Sequence, residues 1–381
     1  MTGRERFTAA MNGKQTDVTA VMPKMWVDVA ARIMDVDLAG RLGNPAEATG
    51  LIVDAAKKLG MDGARLLLFP HRSLVADSRG NLLHTDRDVR VVGTVDRSGG
   101  WKTCLKNNRF FDIENPEHIA HFHCYHSERQ LVADLDDVSR LTIPAASYYE
   151  TAGYGEIVAA ALTSAGESLA CVGDCNSGTL PLLAMLRGMM AAMMDLVDNP
   201  DLVHAIMEKG MHMALERAKF FVARGVSILR YNDSIANMTV ISPASFRQFV
   251  YPYIRDFCTA SHGLGPDVKV YCHICGNVAP ILPDLVASGL DCIAPLDPLG
   301  GFDLAQARQA AGGSVILMGG VNTLSFMRST PEEIADEARA CMRSGSAGGG
   351  FILGSGCALP PDTKLANLSA LIETAHQTVP G

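Results

Sequence analysis

No run of about 18 consecutive apolar residues occurs in this 381-residue chain, so the sequence offers no membrane span. The longest greasy run, Leu182 to Met194, is interrupted by Arg187 and reads as one buried helix. Positive charge is in short supply too. A formal net charge of −8, with no basic stripe, argues against a partner held through its phosphate backbone. Ten cysteines are too sparse for a disulfide scaffold in a chain of this size. The opening Met-Thr-Gly-Arg-Glu-Arg-Phe has no apolar signal core, so the thiols are expected to be reduced and the protein cytoplasmic. No Gly-x-Gly-x-x-Gly joins a strand to a helix, which weighs against a dinucleotide site. No internal repeat or low-complexity segment stands out.

What is present is a composition able to bury a substantial core, 48% hydrophobic and 19% charged. Apolar strand signals recur near residues 22, 66, 171, 229, 270, 293, 316 and 352, most of them separated by a helix. Several helices open on clear start signals. Asn44-Pro45-Ala-Glu47, Asn115-Pro116-Glu117, Asn199-Pro200-Asp201, Ser242-Pro243 and Thr330-Pro331-Glu332-Glu333 each combine a capping side chain with proline at the first helical position. Eight alternating β and α units predict an α/β fold, a (β/α)8 TIM barrel, over residues 1–381 as a single domain. A doubly wound open sheet is the alternative. The stretch from about 78 to 103 breaks the rhythm. Its turn clusters, Ser78-Arg-Gly-Asn81 and Arg97-Ser-Gly-Gly100, predict an inserted β-hairpin elaboration over one barrel mouth. His121, His123 and His126 fall on mixed helical faces among polar residues and read as solvated surface.

The chemistry concentrates in Val270-Tyr-Cys-His-Ile-Cys-Gly-Asn277, a strand that ends in two metal-grade ligands. In an extended segment, residues i and i+2 point to one side, so His273 and Cys275 can converge on one ion. The third ligand proposed is Cys357, in Leu353-Gly-Ser-Gly-Cys357 after another apolar run. One histidine and two cysteines with a fourth position open form the pattern of a catalytic zinc. The competing reading is buried cysteines beside a core histidine. Other polar residues also fall at strand ends, where a barrel keeps its function: Asp174, Asn232, Asp233, Asp297 and Asn322. Each also reads as a turn or cap residue.

These stretches resemble the uroporphyrinogen decarboxylase superfamily of (β/α)8 barrels, most closely its cobalamin-dependent methyltransferase branch. The matching parts are Arg4-Glu-Arg-Phe7 with Asn12-Gly13, Asn232-Asp233 followed by Ser242-Pro243, His273-Ile-Cys275-Gly276-Asn277, and Gly354-Ser-Gly-Cys357 leading into Pro360-Pro361-Asp362-Thr363. The resemblance implies zinc on His273, Cys275 and Cys357. It does not carry over the decarboxylase's own anchors. Pro23-Lys-Met-Trp-Val27 stands where an Arg-Gln-Ala-Gly-Arg segment is expected, and Pro70-His71-Arg72 where an aspartate is expected. Uroporphyrinogen decarboxylation is therefore disfavoured. No Asp-x-His-x-x-Gly, the usual cobalt-ligating motif, occurs, so a corrinoid (cobalamin) would arrive on a separate corrinoid-binding protein.

The resemblance implies a zinc-dependent methyltransferase, a demethylase that moves a methyl group from a methylated substrate to a Co(I) corrinoid. The substrate reads as O-methyl and possibly aromatic, because the 78–103 insertion and Tyr148, Tyr149 and Tyr154 look like extra pocket walls. The reverse direction, methylcorrinoid to a zinc-activated thiol, is the alternative. A non-catalytic zinc-binding barrel is the rival of another class. Asp233 is the candidate proton-handling group, with Asn232, Asp174, Asn322, Tyr148 and Tyr149 as candidate substrate contacts. The methionines between 185 and 194 read either as core or as an adaptable docking face.

Overall fold

The computed structural model describes residues 1–380 except 86–88, 98–100, 106–109, 128, 177 and 302. Its twelve strands among the described residues are β1 (Gly63–Leu66), β2 (Ser73–Ala76), β3 (Leu82–Thr85), β4 (Val91–Val95), β5 (Thr103–Leu105), β6 (Tyr125–His126), β7 (Ala170–Asp174), β8 (Ile228–Asn232), β9 (Lys269–His273), β10 (Cys292–Ala294), β11 (Ile316–Val321) and β12 (Phe351–Ser355). Seven of them form one parallel sheet in the order β1-β7-β8-β9-β10-β11-β12. Their residues are almost all buried, as strands covered on both faces require.

The eighth stave is residues 19–24, which pair only through single bridges. Val21 lies opposite Leu353 and Lys24 opposite Ala358, both parallel. Met22 N donates to Leu353 O and Leu353 N to Ala20 O on one side, and Asp62 N donates to Val21 O on the other. The ring of eight closes there, as the barrel reading expects. Asp62, 1% exposed, locks this seam. Its carboxylate accepts from Arg6 Nη1 (2.6 Å), Val21 N (2.9 Å) and His376 Nε2 (3.0 Å), tying the first helix, first stave and last helix together. Asp62→Ala strips a buried acceptor from three donors and is expected to cost about 3 kcal/mol, read as a lower urea midpoint at unchanged slope. A change within about 0.5 kcal/mol would show that the seam holds without it.

The helix starts follow their signals. Asn44 Oδ1 accepts from Ala46 N and Glu47 N, and Thr330 with Glu333 forms a full capping box. The run from Leu182 to Met194 departs from the single-helix expectation. It divides at Gly188 (φ 78°) into Leu180–Arg187 and Met189–Asp198, which are bent by 111°. The reason lies in Arg187. Its guanidinium turns inward to Asp195 (2.6 Å) and to the Val132 and Ala133 carbonyls, a set of partners no straight helix could offer it. Among the described residues, no single helix is long and apolar enough to cross a membrane.

In place of a hairpin confined to about 78–103, residues 73–126 carry a second sheet of five strands, β2-β3-β4-β5-β6, antiparallel except for the last pair. Ser98–Gly100 of the second turn cluster lie outside the described residues. The histidine-rich stretch also departs from expectation. The helix from Pro116 ends at Ala120, and the chain then dives inward. His121 is fully buried with Nε2 2.7 Å from Tyr154 Oη, and His123 faces a cavity; only His126 is exposed.

Candidate metal centre

Strand register sets the site. Asn232, His273 and Ala294 lie side by side at the C-terminal ends of β8, β9 and β10. Past the end of β9 the chain turns at Gly276 (φ 80°), with Gly276 N donating to Asp297 Oδ2 (3.2 Å). That carboxylate also caps the following turn through Leu299 N (3.0 Å), so Asp297 fixes the His273–Cys275 hook from the next loop. On the far side, Ser355 at the end of β12 donates to Cys357 O (2.6 Å) and accepts from Lys24 N (2.9 Å). Gly356 between them must be glycine in this packing, because a Cβ there would stand 2.6 Å from Pro298 Cδ. The result is convergence. The ligand atoms of His273, Cys275 and Cys357 all lie within 4.8 Å of one another.

The electrostatics suit a cation. Burial, and then Lys24, Arg230 and Arg65, hold the His273 imidazole well below its usual pKa, so it is neutral and able to ligate. A hydrogen bond from Cys275 draws the Cys357 thiol down while the Cys275 thiol goes up, so the pair shares a single proton. The Lys24 amine already stands in for a cation. Its Nζ is 2.8 Å from His273 Nε2, and the charges of Cys357 and Cys275 attract it. Burial, helped by Arg230 and Arg65, still pulls it down to about 7. A soft, closely spaced donor set that attracts a positive group is what a zinc site needs.

A cavity of about 320 Å³ adjoins the cluster. It is lined by Lys24, which touches His273, and by Ser234, whose carbonyl oxygen lies 3.4 Å from Cys275 Sγ. Barrel residues Trp26, Asp174, Arg230 and Asn232 form its floor, while Lys102, Tyr125 and His126 from the second sheet close over it. Asp174 is the hub of that floor. Its Oδ2 accepts from Arg230 Nη1 (2.7 Å) and Arg65 Nη1 (3.2 Å), and its Oδ1 from Asn176 N (3.1 Å).

Of the residues singled out in the sequence, the structure gathers His273, Cys275 and Cys357 into one cluster and places Asp174 and Asn232 on the adjoining wall. Others lie elsewhere. The Asp233 backbone donates to His273 O (3.0 Å), but its carboxyl is fully buried outside the cavity lining, and burial pushes its pKa well up against the weak pull of the Leu180 amide. Asn322 caps its own turn through Leu324 N (2.9 Å). Tyr149 is core, 5.2 Å from the Arg217 guanidinium and against Phe220, with Tyr148 edge-on beside it. Sequence reasoning passed over Lys24, Arg65, Arg230 and Asn176, and read the cavity-lining His123 as surface. The available signal was arginine inside apolar strands, Ala64-Arg-Leu66 and Ile228-Leu-Arg230, since a buried guanidinium demands a partner. The methionines divide: Met185 and Met189 line the cavity, while Met190 and Met194 are exposed on the same helix as Met189.

Residues 126–378 match the family model described as uroporphyrinogen decarboxylase. A methylated-thiol–coenzyme M methyltransferase of Methanosarcina mazei is 28% identical over 184 residues, 47% of this chain and 46% of that protein. A methylcobamide:CoM methyltransferase of Methanosarcina barkeri is 24% identical over 217 residues, 54% of this chain and 61% of its own length. A uroporphyrinogen decarboxylase of Chlorobium phaeovibrioides is 29% identical over 181 residues, 46% of this chain and 49% of its own. The chain thus spans about half to three fifths of the length of these curated relatives. A solved methyltransferase structure from Methanosarcina mazei superposes with a TM-score of 0.72 at 19% identity, covering 99% of both chains, and shares the fold.

Proposed function

The chain belongs to the uroporphyrinogen decarboxylase family, and on that premise we propose that it is a zinc-dependent methyltransferase of small methylated molecules. It moves the methyl group of an O-methyl substrate to the Co(I) corrinoid of a separate corrinoid protein. The observation that carries this reading is the convergence of His273, Cys275 and Cys357 within 4.8 Å, at the strand ends, beside a cavity. Zinc held there supplies Lewis acidity, which stabilises negative charge on the oxygen or sulfur that loses or gains the methyl group. The chain does the rest. Trp26, Tyr125 and the buried floor exclude water from the substrate. Lys24, which lines the cavity beside the cluster, is placed to hold a proton near a leaving oxygen. Met189, exposed at the cavity, offers the corrinoid protein an adaptable apolar contact together with the exposed Met190 and Met194 of the same helix.

The Methanosarcina relatives are named for transfer to coenzyme M, which favours a second reading, methylcorrinoid to a thiol. Two assays separate them. Methylcobalamin formation from a methyl aryl ether and Co(I) cobalamin supports the first; loss of methylcobalamin only when a thiol is supplied supports the second. Neither reaction, in protein that holds one zinc per chain, would sink both and favour a non-catalytic zinc-binding barrel. Lys24→Met removes the cation that competes for the three donors. It is expected to bind zinc about tenfold more tightly in competition with a chromogenic chelator. Weaker binding would show that Lys24 helps to build the site.

A further inference from the structure

The two cysteines of the cluster stand on two different turns, and a loop that carries no ligand packs against both. It is residues 296–301, after β10, and none of them belongs to the set His273, Cys275 and Cys357. Against the first turn it packs backbone on backbone. A Cβ on Gly300 would stand 2.3 Å from Gly276 C and 2.5 Å from Asn277 N. Against the second it packs as closely. A Cβ on Gly356 would stand 2.6 Å from Pro298 Cδ and 3.2 Å from Asp297 Oδ1. The buried Asp297 carboxylate divides its oxygens, Oδ2 accepting from Gly276 N (3.2 Å) and Oδ1 from Leu299 N (3.0 Å). The backbone is strained where it delivers that carboxylate. Leu296, the residue before it and itself buried, is held at φ 49°, in the left-handed region that a bulky side chain seldom enters. Such strain persists where the surroundings over-determine a position, and it gathers at functional sites.

Resting on the metal-binding part of the reading above, we propose that Asp297 is a positioning residue for the metal, setting through its loop the spacing of Cys275 and Cys357 around the ion. A metal with one open position is held tightly only when its three ligands already stand near their tetrahedral places. Ser355 steadies Cys357 from one side, through the Cys357 carbonyl and Lys24 N. The 296–301 loop touches both cysteine-bearing turns at once, so it is the element that can fix one against the other. Each oxygen of Asp297 is engaged by an amide, so the carboxylate acts through the turns and not as a fourth ligand. The open position is thereby left to the substrate.

The test measures metal binding apart from turnover. Zinc affinity is read by competition with a chromogenic chelator, and ligand geometry by the visible spectrum of the cobalt(II)-substituted protein. Asp297→Asn keeps one acceptor oxygen and loses the other. It is expected to weaken zinc about tenfold and to shift the cobalt spectrum. Gly300→Ala changes no charge but pushes the Gly276 turn aside, so it should do the same. Asp303→Asn is the control. Asp303 caps the next helix in the same manner, Oδ1 accepting from Ala305 N (2.8 Å), and takes no hydrogen bond from either cysteine-bearing turn among the described residues. Its variant should lower the melting temperature slightly and leave zinc affinity and the cobalt spectrum as in the wild type. Wild-type affinity and spectrum in both Asp297→Asn and Gly300→Ala would reduce Asp297 to a turn cap and overturn the proposal. Equal losses in Asp303→Asn would overturn it too, by tracing the effect to general loosening. If Gly300→Ala does not fold, Asp297→Asn and the control decide the matter. A wild-type chain that takes up neither metal would remove the metal-binding reading and this proposal together. The expected shifts in protein that transfers no methyl group would leave Asp297 in its role and remove methyl transfer alone.

Discussion

Cys357→Ser is expected to lower bound zinc from about one per chain to below a fifth of that in dialysed protein, and to cut methyl transfer at least a hundredfold. Its thiol is drawn toward the thiolate by the hydrogen bond from Cys275, so it is the readiest charged ligand of the three. The fold should survive. The cluster lies at the C-terminal end of β9 and just beyond the end of β12, at the mouth of the barrel and away from the interior layers where most of the stability resides. Chelation of the wild-type protein should give the same result: activity lost, a near-native circular-dichroism spectrum and a melting temperature lowered by only a few degrees. A chelated chain that unfolds at room temperature would make the metal structural, and one that keeps full activity would move the chemistry elsewhere. Unchanged zinc in Cys357→Ser would remove that residue from the ligand set.

Asp174→Ala should be the most destabilising single change on the cavity floor, by about 3–5 kcal/mol, because it strands two buried guanidinium groups at once. The same residue gives the protein an acid limit. Burial would push the Asp174 carboxyl up, but Arg230, Arg65 and His123 together outweigh it and hold it at about 2. A folded-state pKa below the unfolded value means that the unfolded chain binds the proton more readily. The contribution is therefore complete above about pH 4 and fades as the pH falls toward 2. Urea midpoints measured from pH 6 down to pH 3 should fall in the wild type more steeply than in Asp174→Asn. Parallel curves would show that the arginines are balanced by another group.

The barrel was legible because its helix starts and apolar strands repeat a simple grammar, and the ligand cluster because i and i+2 at a strand end share a side. The face of each strand was not legible. Strands of a parallel barrel are buried on both sides, so the alternation that marks the inner face of a half-exposed strand is missing. In β8 the side chains alternate: Arg230 and Asn232 point into the cavity, whereas Tyr231 packs on Phe257 beneath the helices and Asp233 follows it outward. Asn232 and Asp233 are neighbours of similar chemistry, and only the pleat separates a cavity wall from a buried carboxyl. Tyr149 failed as a pocket wall for a related reason. An aromatic on a helix is as well suited to covering a buried arginine as to covering a ligand. Lys24 was visible only as a departure from an expected segment, because nothing local says that a lysine in an apolar run will face two thiols.

The seam at residues 19–24 also orders events in time. Lys24 meets Ser355 across 331 residues of chain, and the stave to which it belongs has no partner on that side until β12 exists. During synthesis, this stave must therefore wait for β12, and the half-built ring carries an open edge until then. The cluster inherits that delay, since Cys357 arrives on the far side of the same seam from His273 and Cys275. Until Cys357 is made, the chain can offer a metal only two of these three side chains. Metal uptake during translation thus becomes a timestamp of ring closure, and a circular permutant opened within 19–24 would shift it.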